Sequence, residues 1–331
     1  MSFASFGIIG GGAWGTALGH AMRLAGRETL MWAREAEVVA EINSDHRNTA
    51  FLPGVELHPG LAATEELARI AAQDAVLMVA PAQHVRATAA ALAPHLPAGT
   101  PVVICAKGLE QATGKLLGQV LAETIPQATE AVLSGPSFAA EVARGLPAAL
   151  TLATADIGLG ETLATAIGHS QLRIYWTSDT TGVQLGGAIK NVLAIAAGIV
   201  DGKGLGASAH AALVTRGFAE LRRLGAAMGA RAETLIGLSG LGDLLLTCGS
   251  RQSRNMSLGR ALGQGESLQS VLGGRRAVTE GVYTAGALAR VAAATGIDMP
   301  ICEAVNAIVA GRVDVEAAIA GLLSRPFRAE G

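Results

Sequence analysis

"FGIIGGGAWGTALGHAMRLAG", residues 6–26, opens as an apolar strand, passes through a glycine cluster and continues with helical spacing. Gly10, Gly12 and Gly15 stand in G-x-G-x-x-G spacing at this strand-to-helix turn. In such a turn the first glycine permits a tight reversal, and the second lets the backbone approach a pyrophosphate. The third lets helix and strand pack closely, while the helix N-terminus presents N–H groups and its dipole to the anion. Ala13 and Trp14, between the second and third glycines, would share in that contact. With 43 glycines in the chain the spacing alone is a weak sign, and a flexible turn would also fit. Its place after the first strand and before a helix favours dinucleotide binding.

Outward from this turn, short apolar runs alternate with helix-patterned segments up to about residue 180. "TLMWA" (29–33), "AVLMVA" (75–80), "TPVVICA" (100–106), "AVLSG" (131–135), "AALTLAT" (148–154) and "LRIYW" (172–176) read as further strands. The alternation implies βαβ units on a largely parallel sheet. After residue 180 the segments "TGVQLGGAIKNVLAIAAGIV", "HAALVTRGFAELRRLGAAMG", "VYTAGALARVAAATG" and "PICEAVNAIVAG" all have helical length and spacing. The expected fold is an α/β N-terminal Rossmann-type domain, residues 1–180, followed by an all-α C-terminal domain, residues 181–331. The second half is entered through a long helix beginning near Asp179. No Pro-rich linker separates the halves, so a cleft at a packed joint is the expected ligand site.

Composition narrows the function classes. The 331 residues are half apolar and carry a net charge of −2, as expected of a globular protein. No Lys/Arg run has the density of a nucleic-acid arm, so no nucleic-acid partner is expected. Three scattered cysteines, Cys105, Cys248 and Cys302, form neither a disulfide framework nor a zinc motif, and the seven histidines show no HExxH spacing. No metal is expected. The apolar N-terminus lacks the basic region of a signal peptide, and no uncharged apolar run approaches ~18 residues. A cytoplasmic protein, not an integral membrane one, is expected, and the apolar helical half suggests a homodimer.

Individual side chains sharpen this picture. At the end of the second strand, Arg34 stands where an acid would accept the 2′-hydroxyl of NAD or FAD. Arginine can pair with a 2′-phosphate, which tilts the expectation to NADP with NAD tolerated; a solvated surface arginine explains the residue equally. Of 25 basic residues only four are lysines: Lys107, Lys115, Lys190 and Lys203. Lys190 lies in an almost wholly apolar helix, with Gly186, Gly187, Ala194 and Ala197 as its helical neighbours. It faces either a close-packed backbone or an open pocket, and desolvation would make it a usable proton donor and acceptor. The alternative is an ammonium snorkelling to the surface. Lys107 follows a strand end, where open α/β sheets bind ligands. "GLSGLGDLLLTCGSRQSRN" (237–255) offers glycines to turn the chain into the cleft, a lone aspartate, a strand-like apolar run and a small basic patch.

With these pieces in place, the sequence resembles bacterial-type NAD(P)-dependent glycerol-3-phosphate dehydrogenases. "GGGAWGTALG", "AKGLE", "LSGPSFAAEVARG", "KNVLAIAAGIVDGKGLG", "LVTRGFAE", "LSGLGDLLLTC" and "SRNMSLG" carry the resemblance, in order, across nearly the whole chain. It implies reversible hydride transfer to the central carbon of dihydroxyacetone phosphate, giving sn-glycerol 3-phosphate for phospholipid synthesis. Lys190 matches the proton acceptor and donor, and Lys107 a residue touching both cofactor and substrate. Gly135, Ser137, Asp243, Ser253, Arg254 and Asn255 match substrate residues. Ala139, Arg254, Val278 and Glu280 match cofactor contacts. Ala13 departs from a common serine, and Ser208 and His210 from a usual asparagine and lysine. "SRN" opening a helix suits a phosphate dianion. Two rivals remain: a hydroxyacid or hydroxyacyl-CoA reductase on the same architecture, and a non-catalytic dinucleotide sensor.

Overall fold

The structure, a computed structural model, describes residues 3–273, 279–327 and 329. Its sheet has eight strands: β1 (Ser5–Ile9), β2 (Glu28–Trp32), β3 (Ala62–Thr64), β4 (Ala75–Met78), β5 (Pro101–Ile104), β6 (Thr129–Ser134), β7 (Ala148–Ala153) and β8 (Leu172–Thr177). They lie in the order β3-β2-β1-β4-β5-β6-β7-β8, and every pair is parallel except β6–β7. Every residue of β4 and β5 is buried, because helices cover both faces of the sheet, and such strands read as unbroken apolar runs. Strand β3, only "AAT", has no such run and escapes sequence reading.

Helices α1 (Ala13–Leu24), α2 (Ala36–Asp45), α3 (Leu67–Ala71), α4 (Val85–Leu92), α5 (Leu117–Thr124), α6 (Ala139–Ala143) and α7 (Ile157–Ile167) fill the connections. The chain moves outward from β1 in both directions, to β2 on one side and β4 on the other. That reversal opens a crevice at the strand C-termini, and the glycine turn lies there. A Cβ on Gly10 would stand 3.0 Å from Val79 C, so the loops after β1 and β4 touch.

The rest of the chain is helical among the described residues: α8 (Thr180–Gly202), α9 (Ala207–Ala227), α10 (Ala232–Ile236), α11 (Asp243–Gly249), α12 (Arg254–Gly263), α13 (Leu268–Gly273), α14 (Glu280–Thr295), α15 (Pro300–Val309) and α16 (Val315–Leu323). Asp179 caps α8, its carboxylate accepting from Gly182 N at 2.8 Å and from Arg231 N at 2.7 Å. Helix α8 is long and apolar enough to cross a membrane, yet 94% of its most apolar window is buried inside the protein. It is the axis of the helical half, with α9, α11, α12, α14 and α15 packed around it, and it also rests on β6 and β7.

One local expectation fails. The apolar run after Gly242 is not strand-like: residues 243–249 form α11, entered through a π-helical turn, Leu238–Gly242. Asp243, Leu244, Thr247 and Cys248 are buried while Leu245 is exposed, a helical period within a run too short to reveal it. None of the preceding Gly237, Gly240 and Gly242 has positive φ. Gly240 is there for closeness, since a Cβ would stand 2.0 Å from Leu235 O.

Candidate active site

The four lysines divide as their surroundings predict. Lys115 and Lys203 pair with Glu123 and Glu316 at the surface. Lys190, only 7% exposed, and Lys107, at the end of β5, converge on one carboxylate. Lys190 Nζ donates to Asp243 Oδ1 at 2.6 Å, and Lys107 Nζ donates to Asp243 Oδ2 at 2.7 Å. Lys190 also donates to Thr247 Oγ1 at 2.8 Å, and Lys107 to Gly135 O at 2.9 Å. Asp243 is fully buried, so one negative charge serves two ammonium groups and the cluster keeps a net positive charge. Burial pushes the Lys190 pKa down to about 8; the Asp243 carboxylate opposes the fall and the Lys107 charge adds to it. An amine tuned there exchanges a proton near neutral pH.

Of the two glycines before Lys190, Gly186 faces close-packed backbone and Gly187 faces the side chains of Ser134 and Lys107. A Cβ on Gly186 would stand 2.4 Å from Ser239 O, so this glycine lets the π-helical turn carrying Asp243 lie against α8. A Cβ on Gly187 would stand 2.8 Å from Ser134 Oγ, at the end of β6. Gly135 follows with φ +148°, where a side chain would be strained, and Ser137 Oγ donates to its carbonyl at 3.2 Å.

Beyond the lysines, Ser253 caps α12, its hydroxyl accepting from Met256 N at 3.2 Å. Arg254 opens that helix. The Asn255 side chain is engaged inside the protein: Nδ2 donates to Asn191 Oδ1 at 2.9 Å, and Oδ1 accepts from Gly281 N at 3.0 Å. It ties α12 to α8 and α14 and keeps one amide hydrogen free of those two bonds. Thr247 and Asn191 are the residues of this cluster that sequence reading missed. Asn191 adjoins Lys190, and Thr247 is one helical turn from Asp243, a relation hidden by the strand reading. Ser208 and His210 begin α9, past the far end of α8, about 18 Å along its axis from Lys190.

At the nucleotide end the three glycines differ physically. Gly10 has φ +127°. A Cβ on Gly15 would stand 1.9 Å from Gly10 O, whereas a Cβ on Gly12 would meet nothing within 4 Å. Gly12 therefore borders open space, and no side chain caps α1. Buried Asn48 holds the loop from behind, donating to Gly11 O and Thr16 Oγ1 at 2.8 Å each. Trp14 and Ala139 pack on one core, and the buried Trp14 Nε1 has no acceptor. Glu280 Oε1 accepts from Ala82 N at 3.0 Å, while its buried Oε2 and the nearby Thr284 hydroxyl have no partner. Burial pushes the Glu280 carboxyl up, opposed by the Ala82 N–H and by the Arg254 charge. Open space at Gly12 and unpartnered polar atoms beside the strand ends fit a dinucleotide. Arg34 is exposed and pairs with Glu35 at 2.9 Å. Val278 lies outside the described residues.

Cys105, Cys248 and Cys302 are free and buried, and burial pushes the Cys248 pKa up to about 12. A cavity of about 690 Å³ between β7, β8 and α10 contains none of the lysine-cluster side chains.

Residues 5–159 match the family described as NAD-dependent glycerol-3-phosphate dehydrogenase N-terminus, and residues 179–320 match its C-terminus. A glycerol-3-phosphate dehydrogenase, NAD(P)+ type, of Parvibaculum lavamentivorans is 58% identical over 330 residues, covering 100% of this chain and 99% of that protein. One from Caulobacter vibrioides is 57% identical and covers 100% of both chains. The crystal structure of glycerol-3-phosphate dehydrogenase from Coxiella burnetii superposes with a TM-score of 0.93 at 35% identity, covering 98% of this chain and 99% of that one.

Proposed function

Because the chain belongs to the NAD-dependent glycerol-3-phosphate dehydrogenase family, we propose that the Lys190–Asp243–Lys107 cluster is the centre at which it exchanges a proton with its substrate. The protein is an oxidoreductase, and the alternatives of a hydroxyacid or hydroxyacyl-CoA reductase and a non-catalytic sensor are set aside. The reading rests on one observation: two lysines from opposite halves share one buried carboxylate at the strand ends.

The bound nicotinamide supplies or accepts the hydride. Lys190 holds the proton. As the ketone of dihydroxyacetone phosphate is reduced, negative charge grows on its oxygen, and an ammonium beside it lowers the barrier and then donates its proton. In the reverse direction the neutral amine takes the hydroxyl proton. Asp243 fixes both ammonium groups, and the Lys107 charge balances that of Asp243 when Lys190 gives up its proton. Gly135 and Ser137 line the substrate side with backbone and hydroxyl. Ser253, Arg254 and Asn255 bind the phosphate, where a helix N-terminus and a guanidinium meet a dianion. Gly10, Gly12, Ala13, Trp14 and Gly15 hold the pyrophosphate, with Lys107, Ala139, Arg254, Val278 and Glu280 along the dinucleotide. Arg34, at the adenosine end, favours NADP over NAD.

We further place the protein in the cytoplasm, supplying glycerol 3-phosphate for phospholipids. The division into a cofactor half ending at residue 180 and a catalytic half beginning at 181 belongs to the same reading. So does a homodimer, which the exposed Ile236 and Leu245 support. The test of activity is NADPH and NADH oxidation with dihydroxyacetone phosphate, a 2-keto acid, or no second substrate. Turnover with dihydroxyacetone phosphate alone is expected; equal turnover with the keto acid contradicts the phosphate site.

A further inference from the structure

Far from the lysine cluster, the fold brings five basic residues to the C-terminal end of α1: His20 and Arg23 on the helix, Arg27 before β2, His58 before β3 and His169 after α7. Their contacts link them. The His58 backbone N–H donates to His20 Nδ1 at 2.9 Å, and the Arg23 guanidinium lies against Gly60. Arg23 Nη1 donates to Arg27 O at 3.1 Å, and Arg27 Nε donates to Ala166 O at 3.0 Å, three residues before His169.

The three rings share one tautomer. Nδ1 accepts a backbone N–H in each: from His58 in His20, from Gly60 at 3.0 Å in His58, and from Gln171 at 3.3 Å in His169. A nitrogen that accepts an N–H carries no proton, so each neutral ring holds its proton on Nε2. Three Nε2–H donors result. The buried His169 Nε2 and Arg23 Nε have no acceptor, and His20 is itself only 8% exposed. Among the described residues no carboxylate pairs with any of the five. A metal would need the Nε2 lone pairs that this tautomer commits to protons, and no His/Cys/Asp/Glu group among the described residues is placed to hold one.

Donors without acceptors, and two guanidinium charges without counter-charge, call for an anion. We propose that these five side chains form a second anion site, which takes a tetrahedral phosphate-type oxyanion roughly 15 Å along α1 from the glycine turn. The two arginines match a dianion in charge, and the three imidazoles supply directed donors. Burial and the neighbouring rings hold His20 below the ordinary imidazole pKa, and burial does the same to His169, so a bound anion should raise both. The carbonyls at the end of α1 are covered, Ala21 O and Met22 O accepting from Ala25 N and Arg27 N, which lessens their repulsion of the ligand.

Inorganic phosphate and a phosphomonoester share this chemistry. The test follows the ring Cε1–H resonances of His20, His58 and His169 in the full-length protein. Chloride, inorganic phosphate and sn-glycerol 3-phosphate are compared at matched ionic strength. Saturable shifts with raised titration midpoints are expected in phosphate or in the ester, and whichever binds more tightly identifies the source. The shifts should persist in Arg254→Ala, which removes the proposed substrate clamp, and weaken about tenfold in affinity in Arg27→Gln, with turnover retained. Shifts no larger than in chloride, or shifts abolished by Arg254→Ala, overturn the site. The Arg254→Ala comparison decides even if Arg27→Gln fails to fold.

Discussion

In the proposed mechanism Asp243 sets the electrical state of the site: burying it with two lysines leaves an excess positive charge where the ketone oxygen would need one. The pKa of Lys190, pushed down to about 8, gives the two reaction directions opposite pH dependence. Reduction needs the ammonium, which is present below about 8 and lost as pH rises through it; oxidation needs the neutral amine and gains over the same interval. Measuring kcat in both directions from pH 6 to 10 checks this, and parallel profiles would contradict it. In Asp243→Asn the two ammonium groups lose their shared counter-charge. Removing one partner of a buried pair costs about 3–5 kcal/mol. Asp243 also raises the Lys190 pKa, so the alkaline limb of reduction should move to lower pH in the variant. Denaturant melts and pH profiles read the two effects separately. At the end of β2, Arg34→Asp should lower kcat/KM with NADPH about tenfold or more, roughly 1.4 kcal/mol, and change NADH less. Equal losses would remove Arg34 from cofactor choice. The two lysines were legible because lysine is scarce in this chain and each occupies an unusual setting. Thr247 and Asn191 are ordinary polar residues, and only contact with Lys190 or Asn255 distinguishes them.

Secondary structure explains what was readable and what was not. In a strand, Asp243 and Thr247 would lie about 13 Å apart; in a helix they are adjacent on one face. The seven-residue α11 was too short to show its period, so the shape of the proton-handling cluster could not be read from sequence. The glycine turn was legible because each of its positions has a separate physical demand. That difference yields a paired prediction. Gly12→Ala adds a methyl group to open space, so stability should change by less than about 0.5 kcal/mol while NAD(P)H affinity falls tenfold or more. Gly15→Ala drives a methyl into Gly10 O and should cost about 1–3 kcal/mol in the fold itself. Thermal melts beside cofactor titrations separate the two; equal melting temperatures for both variants would contradict the assignment.

At the scale of the molecule, α8 joins a nucleotide-binding sheet to a helical half and carries Lys190 into the joint. Lys107 reaches the same carboxylate from the sheet, so neither half holds the cluster alone. Alternation of strands and helices followed by helices alone made this architecture legible, while the tiny β3 and the meeting of the two lysines depended on tertiary packing. The central claim is that Lys190 moves a proton and does not merely supply charge. The direct measurement is Lys190→Arg, with NADPH binding by fluorescence titration and reduction of dihydroxyacetone phosphate followed on the same preparation. Guanidinium keeps the charge but stays protonated near neutral pH. Cofactor affinity should be retained, because the glycine turn lies in the other half, while turnover falls by about 10²–10⁴. Near-normal turnover in that variant would contradict the account and move the proton donor elsewhere, with Lys107 the first to examine.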